Sequence, residues 1–412
     1  MKRQVFVFDE YVSSQKNGIG SFLKEFCNCM KQLDAAVCML VFNADVKELT
    51  IERDGEGRME RMLFPFFPAG QFTHHAGIVV RLLRLYIVDS PDNLFFVNHS
   101  PCERLAEMLK SDFPLSKVVF IIHDLGWTSG CMGDERRFRQ IIEAANDEQE
   151  NARHIQDFYA REVKTYGFVD RVVCLSEDTR HLLQTVYALP SEKLFLIPNG
   201  LKECDGNDVQ CATREELKRE LFIPADEKII LYVGRPTRQK GVYALLNAFH
   251  FLLKKKPSVR LVIIGSDNGN RIENLLTISS GFATRVSFLG LISKEELEKW
   301  YAVADVGVIP SYYEQCPYVG IEMMMHGLPV VASDGFGLRN MFQDGVNALI
   351  APIGNREDTE EFSCNLAKAI DELLSSEELR KTLGRNAREI YHSYYSEKQM
   401  LKGYKDLLAS LD

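Results

Sequence analysis

With 412 residues, the chain is too long for one ordinary hydrophobic core, so two or three domains are expected. Its 46% hydrophobic and 26% charged residues suit a globular protein in water, and a net charge of −9 argues against general nucleic-acid binding. Ten scattered cysteines form no CxxC pair and have no histidine spacing beside them, which argues against a zinc site and for a reducing, cytoplasmic setting. The chain enters an apolar run at once, Asp9 ends that run too early for a secretory signal, and no apolar stretch is long enough to span a bilayer.

Apolar runs alternate with helical periodicity, the α/β pattern of parallel sheets covered by helices. In the first half strands are predicted at 4–8, 36–42, 94–97, 117–122, 171–175 and 194–197, with helices such as 20–33 and 178–187. In the second half strands at 228–233, 260–264, 285–289, 305–309 and 329–332 are separated by helices such as 242–256 and 294–302. The boundary lies between Pro198 and Arg214. Residues 198–200 are turn chemistry, 202–213 are polar, and Thr213 is placed to cap the helix that follows. Residues 375–412 read as two or three amphipathic helices. The domains are therefore set at 1–199, 200–390 and a C-terminal segment, 391–412.

Two regions of the second half carry chemistry. Residues 231–241 leave a buried strand through Gly234, place Arg235 and Lys240 over its carboxyl end, and pass through Gly241 into a helix whose N-terminal dipole favours an anion. An isolated pair of cations would be a basic surface loop; between a buried strand and a helix, the anion site is the better reading. Gly265 and Gly290 each end a strand where bare backbone can approach a flat ligand. Glu314 and Glu322 flank the start of a helix after the strand 305–309, which aims two carboxylates at one crevice. Ionised carboxylates only accept hydrogen bonds, so they suit a hydroxyl-rich ligand such as a ribose or a hexose.

Val-Gly-Arg-x-x-x-x-Lys-Gly at 233–241, Phe-Leu-Gly at 288–290, Ala-Asp-Val-x-x-x-Pro-Ser at 304–311, the two glutamates at 314 and 322, and Gly-x-Pro-Val-Val-Ala-Ser-Asp at 327–334 occur in this order. Together they resemble the retaining, nucleotide-sugar-dependent glycosyltransferase family four, over about 194–350. The resemblance implies a GT-B fold: two facing Rossmann-like domains with parallel sheets and an interdomain cleft. It also implies Arg235 and Lys240 on the donor diphosphate, Glu322 on the ribose, Glu314 near the transferred sugar and the backbone around Leu291 against the base. In the looser N-terminal half, Gly18 and Gly20 would form the glycine loop that approaches the donor phosphates. His123, followed by Asp124, would stand beside the reacting sugar, with Asp124 fixing its tautomer. The resemblance further implies cleft closure on donor binding, about the linker 198–213, and a C-terminal helix packed on the N-terminal domain.

Five positions depart from the family's pattern. Gln315, Cys316 and Pro317 follow Glu314 where the family commonly has glycine and aromatic residues, and Pro317 has no N–H to offer a sugar. Asn340 and Lys202 stand where acidic residues are frequent.

The implied reaction moves a sugar from a nucleoside diphosphate sugar to an acceptor hydroxyl, with no cofactor and no metal, since side-chain cations can neutralise the leaving group. A nucleotide-sugar epimerase of the same fold, or a non-catalytic nucleotide-sugar-binding protein, are the alternatives. The acceptor is a saccharide, a lipid-linked intermediate, a peptide or a natural product, met by residues 60–90 and 125–168. The apolar run 71–88 with His74, His75, Arg81 and Arg84 reads as a partly buried helix in preference to a peripheral membrane contact. The charged stretch 134–164 reads as helices with solvated faces.

Overall fold

The computed structural model describes residues 3–10, 18–66, 72–98, 103–144, 150–203, 212–266 and 271–411. The chain divides into two compact units: Met1–Gly200 with Glu397–Asp412, and Leu201–Ser396. The linker residues 204–211 and the proline-flanked residues 67–71 lie outside the described residues.

The first unit is built on eight strands: β1 (Gln4–Glu10), β2 (Ala36–Ala44), β3 (Thr50–Arg53), β4 (Met59–Pro65), β5 (Asn93–Val97), β6 (Lys117–Ile122), β7 (Arg171–Cys174) and β8 (Leu194–Leu196). They lie in the order β3-β4-β2-β1-β5-β6-β7-β8, and every pair but β3–β4 is parallel. β5 is buried along its whole length, and β6 is buried beyond its first residue, as parallel strands covered by helices on both faces must be. β3 and β4 were not among the predicted strands. They form an edge hairpin of mixed polar sequence, turned at Gly57 with φ +79°, and Asp54 Oδ1 accepts from the Glu56 and Arg58 amides.

The helix Gly18–Gln32 buries Phe22, Leu23, Phe26, Cys29 and Met30 on one face. The last helix, Glu397–Ala409, belongs to this unit. Its Tyr404 ring lies 5.1 Å from Phe26 and 6.4 Å from Phe96. Arg3 and Arg171 donate to the carbonyls of Leu408 and Ser410 at its C-terminal end, where a cation is favoured by the helix dipole.

The second unit has six parallel strands: β9 (Lys228–Val233), β10 (Val259–Ile264), β11 (Val286–Gly290), β12 (Val306–Ile309), β13 (Val330–Ser333) and β14 (Ala348–Ala351). Their order, β11-β10-β9-β12-β13-β14, is that of a doubly wound nucleotide-binding sheet. β14 is an addition to the predicted strands.

At the amino end of this sheet, Asp305 is buried and ties three elements together. Its Oδ2 accepts from the Ile229 amide at 2.9 Å and pairs with Arg214 at 2.8 Å, while Oδ1 pairs with Lys228 at 3.1 Å. Arg214 opens the helix Arg214–Glu220, which Thr213 caps in a reciprocal box with Glu216. Burial alone would raise the Asp305 carboxyl, but the Ile229 amide and the two cations outweigh it and hold the group below its usual range. Asp305→Ala leaves the buried Ile229 amide without its acceptor. The expected cost is roughly 1–3 kcal/mol, read as a lower urea midpoint with unchanged slope; an unchanged midpoint would show that the cluster adds nothing.

Candidate functional site

Among the parallel strands of each sheet the order reverses once, between β1 and β5 in the first unit and between β9 and β12 in the second. Open α/β sheets bind ligands beyond the carboxyl ends of the strands at this point.

In the second unit, neighbouring strands β9, β10 and β11 all run out in glycine. Gly234, Gly265 and Gly290 have φ of +147°, +135° and +68°. Gly234 N–H donates to Ile264 O at 2.9 Å and Gly265 N–H to Gly290 O at 2.8 Å, so the ladder continues past the strands as bare backbone. A Cβ on Gly265 would lie 2.1 Å from Gly234 O, so no side chain can stand there unless the backbone shifts. Leu291, next along from this ledge, is 69% exposed.

The loop from Gly234 to Gly241 is held by Tyr232, whose hydroxyl donates to Arg235 O at 2.8 Å, and by the Tyr312 amide, which donates to Gln239 O at 2.9 Å. Arg235 projects from it exposed. Gly241, at φ +70°, starts the helix Val242–Leu253 with its Cβ position 1.8 Å from Pro310 O. No side chain caps that helix. Lys240 reaches across the reversal point to Glu314, with Nζ to Oε1 at 2.5 Å and exposures of 24% and 14%. Ser311 Oγ donates to the same oxygen at 2.8 Å. The Glu314 amide donates to Phe336 O at 3.0 Å, and Gly337 packs so closely that a Cβ there would lie 1.9 Å from Glu314 O. The Glu314 loop is thus braced by backbone on its far side, and Pro317 serves as the N-cap of the helix Tyr318–Met325.

Glu322 sits on that helix, half-buried. Its Oε2 accepts a 2.6 Å hydrogen bond from Tyr301 Oη. Burial pushes the Glu322 carboxyl up, and the Tyr301 bond pulls the other way. Tyr301 lies on the helix Lys294–Val303, which precedes β12, whereas Glu322 follows it. The sequence reading missed Tyr301, although flanking one strand is a signal that two helices share a neighbourhood.

In the first unit, His123 follows β6 and bonds through Nε2 to Oδ1 of Asn98, the residue that leaves β5. Its ring stands edge-on to Phe22 at 4.5 Å. Asn98 therefore holds the ring through that nitrogen. Asp124 Oδ1 accepts from the Leu125 amide at 2.9 Å and Thr128 Oγ1 at 2.7 Å, which secures the next turn. Asn98 could have been found from the adjacency of β5 and β6. Gly18 and Gly20 lie in the first turn of the helix Gly18–Gln32 rather than in a loop, and residues 11–17 lie outside the described residues.

Glu162, in the stretch read as solvated, is fully buried. Its Oε1 accepts from the Gly126 amide at 2.8 Å and its Oε2 from Tyr187 Oη at 2.5 Å, so it anchors the turn that follows His123. Burial raises its carboxyl to about 7. The helix Phe72–Leu83 buries Ala76, Val79, Val80 and Leu83 and exposes Ile78 and Arg81. Arg84 and Leu85, just beyond it, are also exposed. Among the described residues no helix is long and apolar enough to cross a membrane, and no group of three metal-binding side chains is found.

The chain matches the family described as Glycosyl transferases group 1 over residues 213–390 and the one described as Glycosyltransferase Family 4 over 16–203. An uncharacterised glycosyltransferase of Methanocaldococcus jannaschii is 31% identical over 228 residues, 55% of this chain and 56% of that one. The chain spans about half the length of the curated relatives it matches. Among solved structures, sucrose-phosphate synthase of Thermosynechococcus elongatus aligns with 100% of this chain and 99% of its own at TM-score 0.76 and 22% identity. HepE of Anabaena, in complex with UDP-glucose, aligns with 99% of this chain and 100% of its own at TM-score 0.70 and 18% identity.

The Glu162 anchor has a pH signature. Between the ordinary carboxyl value of 4.5 and about 7, the folded protein keeps a proton that the unfolded chain releases. Stability therefore falls as pH rises through this window, by on the order of 3 kcal/mol in full. Glu162→Gln removes the burden, so its urea stability relative to wild type should climb from about pH 5 to about pH 8. Parallel pH profiles would count against a buried, proton-holding Glu162.

Proposed function

Because the chain belongs to glycosyltransferase family four, the glycosyl transferases of group 1 with the GT-B fold, we propose that it moves a sugar from a nucleoside diphosphate sugar to an acceptor hydroxyl, retaining the anomeric configuration. The observation that carries this reading is the meeting of Lys240 and Glu314 beside a glycine ledge at the strand-order reversal.

Breaking the donor's glycosidic bond leaves a cationic sugar and an anionic diphosphate. Arg235, Lys240 and the uncapped amides behind Gly241 offset that anionic charge as it grows, which is electrostatic catalysis by fixed groups and side-chain cations without a metal. A diphosphate presents a denser negative charge than one carboxylate, so it draws Lys240 from Glu314. The Glu314 carboxylate is then available to the sugar's hydroxyls. Glu322 accepts from the ribose, and the base lies over the ledge of Gly234 and Gly265 against the backbone at Leu291. On the first unit, the residues assigned to the donor phosphates are Gly18 and Gly20, and the one assigned to the reacting sugar is His123, held by Asn98. UDP-glucose, the ligand of the Anabaena protein, is the first donor to try.

The test is a panel of UDP-, GDP- and ADP-sugars with saccharide, lipid-linked, peptide and small hydroxylated acceptors. Release of the nucleoside diphosphate, faster with one acceptor class, is expected. An isomerised nucleotide sugar with no release would make the protein an epimerase, and binding without turnover a sensor; either overturns the proposal. Arg235→Ala and Lys240→Ala should each lower the rate on the order of 10²–10³-fold. Arg235 is exposed, so its loss should leave the unfolding midpoint unchanged. Near-wild-type turnover in either variant would remove the diphosphate assignment.

A further inference from the structure

Glu322 is the middle of a chain of side chains. Tyr301 Oη donates to its Oε2 at 2.6 Å. The Tyr301 ring stacks on His326 at 5.1 Å with 24° between planes, and His326 Nε2 lies 2.6 Å from Glu298 Oε2. Glu298 and Tyr301 stand on the helix Lys294–Val303, and His326 is the C-cap of the helix that carries Glu322. No hydrogen bond is formed to Glu322 Oε1 among the described residues.

From this geometry we infer that Tyr301 is a positioning residue for donor recognition. It commits one oxygen of Glu322 and leaves the other as the acceptor for a ribose hydroxyl, with the His326–Glu298 pair setting the angle of the tyrosine ring. The inference rests on the nucleotide reading of Glu322. A carboxylate bonded on neither oxygen rotates among several orientations; a phenol donor on one oxygen selects one of them before the ligand arrives. Tyr301 is suited to this because burial, then the Glu322 carboxylate, push its phenol far above its ordinary value and keep it a donor. Its hydrogen bond also favours the ionised acid, the only form that accepts on both oxygens. The charged and titratable neighbours of Glu322 are Tyr301, Lys294 and Glu298 on one helix and His326 on its own. Tyr301→Phe changes only the first of these and keeps the ring on His326.

The experiment measures, for wild type, Tyr301→Phe and Glu322→Gln, the affinity for the nucleoside diphosphate released in the donor assay, and the donor KM and kcat, from about pH 5.5 to 8. Tyr301→Phe should weaken nucleotide binding and raise KM about tenfold, with kcat within about twofold. Its acid limb of binding should move to higher pH, because Glu322 loses the donor that keeps it ionised. The variant should also lose part of the preference for the ribonucleotide over its 2′-deoxy form. A merely structural role would move neither the pH limb nor that preference. Affinity and pH profile equal to wild type in Tyr301→Phe, while Glu322→Gln binds weakly, overturn the inference and leave the nucleotide reading standing. If Glu322→Gln also binds like wild type, both fall. Should Tyr301→Phe be too unstable to assay, Glu298→Gln tests the same chain from its far end. A severalfold rise in KM with kcat unchanged is expected there, and no rise would overturn the inference.

Discussion

The pairing of β9 with β12 is the constraint on which the second unit's site depends. These strands are adjacent in space but far apart in sequence, and the loops that leave them carry Lys240 and Glu314 to within 2.5 Å of each other. The pair is worth more than a surface ion pair because both groups are mostly sheltered. It is less permanent than a fully buried one because solvent still reaches both groups. Ser311 holds the same carboxylate oxygen, and the Glu314 backbone is fixed by Phe336 and Gly337. The acid is therefore positioned by its surroundings, and the lysine is the mobile member.

Backbone packing enforces that arrangement. Gly241 sits against Pro310 O, Gly265 against Gly234 O and Gly337 against Glu314 O, each closer than any Cβ would allow. These contacts seal the loops to one another without side chains. The close approach also explains how Pro317 is tolerated. It serves as the N-cap of the Glu322 helix, where its missing N–H leaves no backbone partner unmatched.

Much of this was legible in the sequence. β5, β6 and β9 were readable because parallel strands buried on both faces become unbroken apolar runs. β3 and β4 were not, since an edge hairpin half open to water carries Glu52, Arg53 and Glu60 among its apolar residues. β14 was missed as well, although at four residues it is no shorter than β12 and β13, which were read. Arg235 and Lys240 could be named because they follow β9 closely, and Glu314 and Glu322 because they lie in the loop after β12 and on the helix that it leads into. Tyr301 and Asn98 were missed, because the signals for them were indirect: two helices that flank β12, and the adjacency of β5 and β6. Glu162 was within reach: it falls on the helical face of Ile155 and Tyr166, and a charge at a core position demands partners.

The two glutamates that flank the start of one helix are held by opposite means. Glu314 is paired with a cation through Oε1, the oxygen that also accepts from Ser311, so its charge is offset. Glu322 is held by a neutral phenol, which directs the carboxylate without cancelling its charge. On the proposed reading this imposes an order on recognition. The nucleoside end meets an acceptor already presented at full charge, whereas the sugar end meets one at full charge only after the diphosphate has drawn the lysine away. A free monosaccharide brings no anion to do this, so Glu314 stays paired and the site remains unready for it. Selectivity for an activated donor then follows from the charge of the leaving group, before any contact with the sugar itself is made.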